Sequence, residues 1–167
     1  VAGLMRYIAS REDLRDNPIG FMSLCTGANA TIIAMSKNRE LFSNVKCLFA
    51  VQPVSANVFS KKMLKDRFPL FRGFYNGINN RVKKHTGFFL DEMSPREYVK
   101  DIPVPVMYAQ TENDKWYDRE DVLGFYEDTP AEKSFLWLEG NERFDGYNYF
   151  GEHPEEMLAF FGLHMGG

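Results

Sequence analysis

The chain has little of what staples or metallates a small protein. Two cysteines, Cys25 and Cys47, among 167 residues argue against a disulfide scaffold. There is no C-x-x-C, and none of the three histidines, His85, His153 and His164, forms a pair with ligand spacing, so no metal and no cofactor is expected. No apolar stretch approaches the ~18 residues a membrane span needs. No signal peptide is read from Val1-Ala2-Gly3, where Arg6 and Arg11 interrupt the apolar pattern. A reducing, cytoplasmic setting is the expectation. The absent initiator Met suggests processing or a start inside a larger protein. No internal repeat or low-complexity tract is visible.

What is present suits one domain over 1–167. Apolar residues make up 44% and aromatics 15%, enough to bury a sizeable core. The net charge of −3 is unevenly spread. Residues 61–84 hold eight bases (Lys61, Lys62, Lys65, Arg67, Arg72, Arg81, Lys83, Lys84) against Asp66 alone, whereas 101–167 hold fifteen acids against four bases. Two solvated faces of one globule explain this, and so does a basic lip that attracts an anionic ligand.

Periodicity predicts an opening helix through Val1, Leu4, Met5 and Ile8, stopped by Asn17-Pro18. Apolar runs predict strands at Ile19–Leu24, Val45–Val51, 104–109 and 134–138. Between them lie a helix from Gly27 to about Leu41, with Ala30, Ile33 and Ala34 on one side, and a helix capped by Asp118. A short helix is expected at Ser94-Pro95, and a last one opens at Pro154 with Met157, Phe160, Phe161 and His164 inward. Near-continuous apolar strands joined by helices imply an α/β fold: a parallel sheet of about four strands with helices on both faces. Residues 54–100, basic and aromatic with weak periodicity, read as an irregular, partly helical insertion. Its interleaved aromatics and bases resemble a base-stacking pattern, but no nucleic-acid module is recognisable, so no nucleic-acid partner is expected.

The chemistry-bearing stretch is Ser23-Leu24-Cys25-Thr26-Gly27. A nucleophile on a sharp strand-to-helix turn needs small neighbours, as in G-x-Nuc-x-G. The helix that follows aims its N-terminal amides at the thiol, which favours the thiolate, and the Thr26 amide is a candidate oxyanion donor. The residues alone leave open whether Cys25 is a nucleophile or a small buried thiol filling a turn. Cys47, mid-strand, reads as core.

Here the chain resembles the α/β-hydrolase superfamily, in its dienelactone-hydrolase-like and acyl hydrolase or acyltransferase branch, and only in its C-terminal half. "IGFMSLCTGANATI" is similar to the nucleophile-elbow strand and its helix. "IPVPVMYAQTENDKWYDREDV" is similar to the next-to-last core strand, which puts Asp114 at the acid of the triad. "KSFLWLEGNERFDGYNYFGEHPEEMLAFF" is similar to the last strand, histidine loop and final helix. The resemblance implies an esterase, thioesterase or acyltransferase acting through Cys25, with 54–100 as the lid over an acyl pocket. It also departs: Gly140-Asn141-Glu142-Arg143-Phe144 puts Arg143 where the family's general-base histidine stands. Arginine stays protonated and is no base. An Asp114–Arg143 ion pair would keep the geometry without the chemistry. His153, ten residues beyond, is the substitute base if the loop rearranges.

Arg143, Phe144 and Tyr147 are the candidate substrate-binding residues, in a long loop dense in glycine and aromatics. The implied substrate is a small acyl compound, anionic if the basic lip meets acyl-CoA or a carrier. The strand "IGFMSL" is central in the resembled fold, so a partner is expected along it: a second copy of the chain, a chain supplying the N-terminal half, or its own first helix. The rival reading is a non-catalytic remnant or subunit that binds a ligand or pairs with another chain.

Overall fold

The apolar run Val45–Val51 forms β2, and five successive residues from Cys47 to Val51 are fully buried. A strand this apolar has to be covered on both faces, and the rest of the architecture follows. In the computed structural model, residues 1–166 are described, apart from the side chains of Phe71 and Arg72. Arg72 of the basic segment therefore lies, with its charge, outside the described residues. β1 (Ile19–Leu24), β2, β3 (Val106–Thr111) and β4 (Lys133–Leu138) make one sheet in the order β1-β2-β3-β4, and every neighbouring pair is parallel. Parallel neighbours cannot be joined by tight hairpins, so each connection crosses over through helix. β3 and β4 start within two residues of the sequence expectation.

The two faces of β2 feed two separate cores. On one side Leu48 and Ala50 meet α1 (Ala2–Ser10), α2 (Thr26–Lys37), α5 (Arg96–Val99) and α6 (Arg119–Asp128) through Met5, Ile32, Met35, Val99, Val122 and Phe125. On the other Phe49 and Val51 meet α7 (Arg143–Glu152) and α8 (Glu155–Met165). Phe49 packs edge-on against Phe150, with ring centroids 4.8 Å apart. Burial of one such ring stabilises the fold by roughly 1.5–3 kcal/mol. α8 approaches β1 so closely that a Cβ on Gly20 would lie 2.6 Å from Met165 Sδ, which is why that strand carries a glycine.

Several local expectations are corrected. α1 stops at Ser10, well before Asn17-Pro18, and buries only Met5 fully; Leu4 is exposed. α2 buries Ala28, Asn29, Thr31, Ile32 and Met35, not the Ala30/Ile33/Ala34 side. Two of those buried residues are polar and find partners: Asn29 Nδ2 donates to the Val54 carbonyl (2.6 Å) and Thr31 Oγ1 pairs with Ser23 Oγ (2.9 Å). Asp118 does cap α6, accepting from the Glu120 amide at 3.1 Å.

Residues 54–100 are more regular than weak periodicity suggested. They contain α3 (Ala56–Arg67), α4 (Tyr75–Thr86), α5 and two short 3₁₀ turns. Their organiser is polar. Asp91 accepts from Asn57 and Asn79, each at 2.9 Å, and lies 3.8 Å from Lys61. Ser55, just before α3, is tied to α6 by Asp121 through its amide (3.2 Å) and hydroxyl (2.8 Å). Among the described residues no helix is long and apolar enough to cross a membrane.

Candidate active site

Cys25 alone makes the turn between β1 and α2. Its φ of 50° and ψ of −121° are unusual for a residue with a side chain, and such a conformation costs about 1–3 kcal/mol. The turn is held from both ends: the Cys25 amide donates to the Val51 carbonyl at 2.8 Å, and the Cys25 carbonyl accepts from the Asn29 amide at 3.2 Å. The crowding expected at Gly27 is absent, since a Cβ there would meet nothing within 4 Å. The strain is concentrated at residue 25.

Three loops at the carboxyl ends of β1, β2 and β3, together with the first residue of α7, converge on the thiol. Arg143 Nη1 lies 3.4 Å from Cys25 Sγ and also reaches the Gln52 carbonyl (3.0 Å) and Tyr147 Oη (3.3 Å). Arg143 Nη2 lies 2.8 Å from Asp114 Oδ2, and the two side chains are only 8% and 0% exposed. Nη2 finds no well-directed hydrogen-bond acceptor, so this contact is a coulombic pair rather than an aligned hydrogen bond. Asp114 Oδ1 is taken by the Trp116 amide at 2.9 Å. The ion pair foreseen from the sequence therefore forms, and it links the carboxylate to the thiol through a guanidinium.

α7 replaces the long loop expected around Tyr147. Asp145 Oδ2 accepts from the amides of Asn141 (2.8 Å) and Glu142 (3.0 Å), which starts the helix and sets Arg143 as its first residue. Gly146 lets α7 approach the sheet: a Cβ there would lie 2.1 Å from Gln52 Nε2 and 2.3 Å from Thr111 Oγ1. Gln52 Nε2 in turn donates to the Arg143 carbonyl at 2.7 Å.

Electrostatics follow from this geometry. Burial pushes the Cys25 thiol up, but hydrogen bonding from Tyr147, the Arg143 charge and the Thr26 hydroxyl and amide outweigh it, so its pKa lies below the ordinary thiol value. Burial also opposes the charge on Arg143, yet Asp114, Tyr147 and Cys25 together hold it protonated. Tyr147 is pushed up to about 12, first by burial and then by its bond to the thiol. Cys47 goes the other way: burial raises it.

A pocket of ≈ 660 Å³ opens beside this centre between α3, the β3–α6 loop and α7. Arg143, Phe144 and Tyr147 all line it, with Phe59, Met63 and Trp116 supplying apolar wall. Arg143 lies over the Phe59 ring at 5.8 Å. Arg67 and Lys115 stand at its margin, but both face Asp66, at 3.9 and 2.9 Å. Lys61 and Lys83 likewise face Asp91 and Glu92, which weakens the basic lip. A more open depression of ≈ 730 Å³ between α1 and the end of α2 holds none of these groups.

The structure brings Cys25, Thr26, Asp114, Arg143 and Tyr147 together and leaves His153 out. His153 ends α7, about 15 Å along the axis from Arg143 at ~1.5 Å per residue, and its ring packs on Tyr149 at 4.8 Å. The loop rearrangement that would return it to the thiol does not occur, because that segment is helix. His164 packs on Phe160 and His85 ends α4. Gln52 was not singled out from the sequence. Its signal was slight: one polar residue after the apolar run of β2, at the strand's carboxyl end, where ligands of parallel sheets gather. Like Cys25 it has a positive φ, 51°. Among the described residues no three His, Cys, Asp or Glu side chains cluster as metal ligands.

Comparison with known proteins places this arrangement in a fold. No family model matches the chain, and no curated protein matches it significantly. Solved structures do. An esterase from Pyrococcus furiosus is 14% identical with a TM-score of 0.67, over 99% of this chain and 60% of the esterase. An acetyl xylan esterase from Paenibacillus sp. R4 is 15% identical with a TM-score of 0.69, over 98% and 50%. Acylaminoacyl peptidase from Pyrococcus horikoshii is 14% identical with a TM-score of 0.63, over 95% and 26%. All are α/β-hydrolase-fold proteins, and this chain has the fold of the portion it matches. It spans from about a quarter to 60% of these proteins.

Proposed function

We propose that this chain processes acyl groups on the α/β-hydrolase fold, with Cys25 as nucleophile, forming an acyl-thioester with an ester or thioester substrate. The observation that carries the reading is the 3.4 Å contact of Arg143 with Cys25 Sγ at a strained strand-to-helix turn. A serine there needs a base to become nucleophilic; a thiolate held by a guanidinium does not. Cys25 attacks the carbonyl carbon, and the Thr26 amide donates to the oxyanion. Asp114 keeps Arg143 in place and charged. The pocket lined by Phe59, Met63, Phe144 and Tyr147 takes the acyl chain. A partner chain alongside β1 belongs to the same proposal, supported by the exposure of Met22 and Leu24 on that strand.

A second reading is favoured by the buried Asp114–Arg143 pair itself: a binding subunit in which the pair has replaced a histidine and only holds the loops. Incubation with 4-nitrophenyl acetate, followed by intact-mass and peptide mass spectrometry, separates the two. One acetyl group on Cys25, absent in Cys25→Ala, is expected. No adduct on a thiol that iodoacetamide still labels supports the binding subunit.

A further inference from the structure

We infer that the site exchanges acyl groups between sulphur atoms: the donor is a thioester and the acceptor is a thiol, not water or an alcohol. This rests on the acyl-thioester reading and names its substrate class. The basis is an account of the protons around Cys25.

Among the described residues, the polar groups that hydrogen-bond the Cys25 sulphur are donors. They are Arg143 Nη1 at 3.4 Å, the Tyr147 hydroxyl, and the Thr26 amide and hydroxyl. None accepts a proton near neutral pH. Arg143 is held charged by Asp114, and Tyr147, pushed up to about 12, stays a neutral phenol that already accepts from Arg143. The carboxylate of this centre, Asp114, has Oδ2 against Arg143 and Oδ1 on the Trp116 amide. The three histidines lie elsewhere, at the ends of α4 and α7 and in the last turn of α8.

That inventory sorts the reactions. Water attacking an acyl-Cys25 must lose a proton, and none of these groups takes it; an alcohol acceptor meets the same obstacle. With an alkyl ester as donor, the tetrahedral intermediate formed by Cys25 expels the weakly basic thiolate again far faster than the strongly basic alkoxide, so the ester returns unchanged. Sulphur needs no such help. In the first half-reaction Cys25 S⁻ bonds to the carbonyl carbon, the carbonyl electrons move to oxygen and return, and the C–S bond to the donor breaks with its electron pair leaving as thiolate. In the second, an acceptor thiolate attacks the same carbon and Cys25 leaves as S⁻. One thiolate enters and one departs each time; the acceptor thiol gives its proton to solvent before it attacks and the departed donor thiolate takes one from solvent, so no proton is transferred within the transition state. Arg143, fixed and cationic, faces a sulphur anion at the start and end of both halves, where a preorganised positive charge is most effective.

The test loads Cys25 with the hexanoyl thioester of N-acetylcysteamine, removes excess donor, and follows loss of the acyl mass in buffer alone and with N-acetylcysteamine. The same loaded protein unfolded in urea gives the intrinsic partition between thiol and water. The folded protein is expected to favour thiol over water by about 100-fold more than the unfolded one, the size of one electrostatic contribution of this kind. Ethyl hexanoate is expected to leave Cys25 unloaded. Equal partition in the two states, or loading by the alkyl ester as fast as by the thioester, overturns the inference and leaves the acyl-thioester reading standing. Failure of both the thioester and 4-nitrophenyl acetate to load Cys25 removes that reading, and the inference with it.

Discussion

Arg143 Nη1 lies 3.4 Å from Cys25 Sγ, across 118 positions of sequence, while Nη2 of the same guanidinium lies 2.8 Å from Asp114 Oδ2. A permanent cation thus bridges a buried carboxylate and a half-buried thiol. It stabilises a thiolate and cannot relay a proton.

Arg143→His replaces the cation by a base beside the same carboxylate. Release of an acyl group from Cys25 to water should rise by about 10²-fold or more, the usual scale of general-base catalysis. Single-turnover release after 4-nitrophenyl acetate loading measures it. No rise means that a side chain at 143 cannot reach the carbonyl-attacking water.

Arg143→Met leaves the Asp114 carboxylate buried without its partner. Stability should fall by about 3–5 kcal/mol, the penalty of breaking a buried ion pair from one side. Arg143→Met/Asp114→Leu should regain most of that loss. Urea unfolding curves of the three proteins decide; equal midpoints for wild type and the single variant contradict the pair's structural role.

Cys25→Gly should be more stable than Cys25→Ala by about 1 kcal/mol, because only glycine takes φ 50°, ψ −121° without strain. Both variants lose the thiol, so its contacts cancel in the comparison. Thermal melts of the pair are sufficient, and alanine equal to or above glycine argues that the turn is unstrained.

Gly146→Ala would drive a Cβ to 2.1 Å from Gln52 Nε2. The cost should be roughly 1–3 kcal/mol, as for other overpacked sites. Gly27→Ala, where the space is open, should not show it. Urea midpoints test the contrast.

Much of this molecule was legible in sequence. β1 and β2 matched their apolar runs residue for residue, and in β2, buried from Cys47 to Val51, every position of that run carries the signature of a strand covered on both faces. The nearness of Asp114 and Arg143 to Cys25 followed from the resemblance of their three segments to the α/β-hydrolase order, and the ion pair from Arg143 standing where that resemblance puts a histidine. What escaped was polar. The α2 face was misread because Asn29 and Thr31 are buried through hydrogen bonds, which hydrophobic periodicity cannot register. The helices of 54–100 are gathered around Asp91 rather than an apolar stripe. α7 looked like a loop because its start depends on one side chain, Asp145, and its composition on packing glycine and rings against the sheet. Once that segment is helical, His153 cannot return to the thiol.

The central claim is that Arg143 and Tyr147 hold the Cys25 pKa below that of an ordinary thiol. The pH dependence of iodoacetamide alkylation at Cys25, read by peptide mass spectrometry, tests it most directly. A lowered pKa means that the thiolate persists to lower pH, so the rate midpoint should fall below the ~8.5 of a free thiol and should climb in Tyr147→Phe and Arg143→Met. Cys47 should stay unlabelled in the folded protein. A wild-type midpoint at or above that of a free thiol contradicts the account, as does one that neither variant moves.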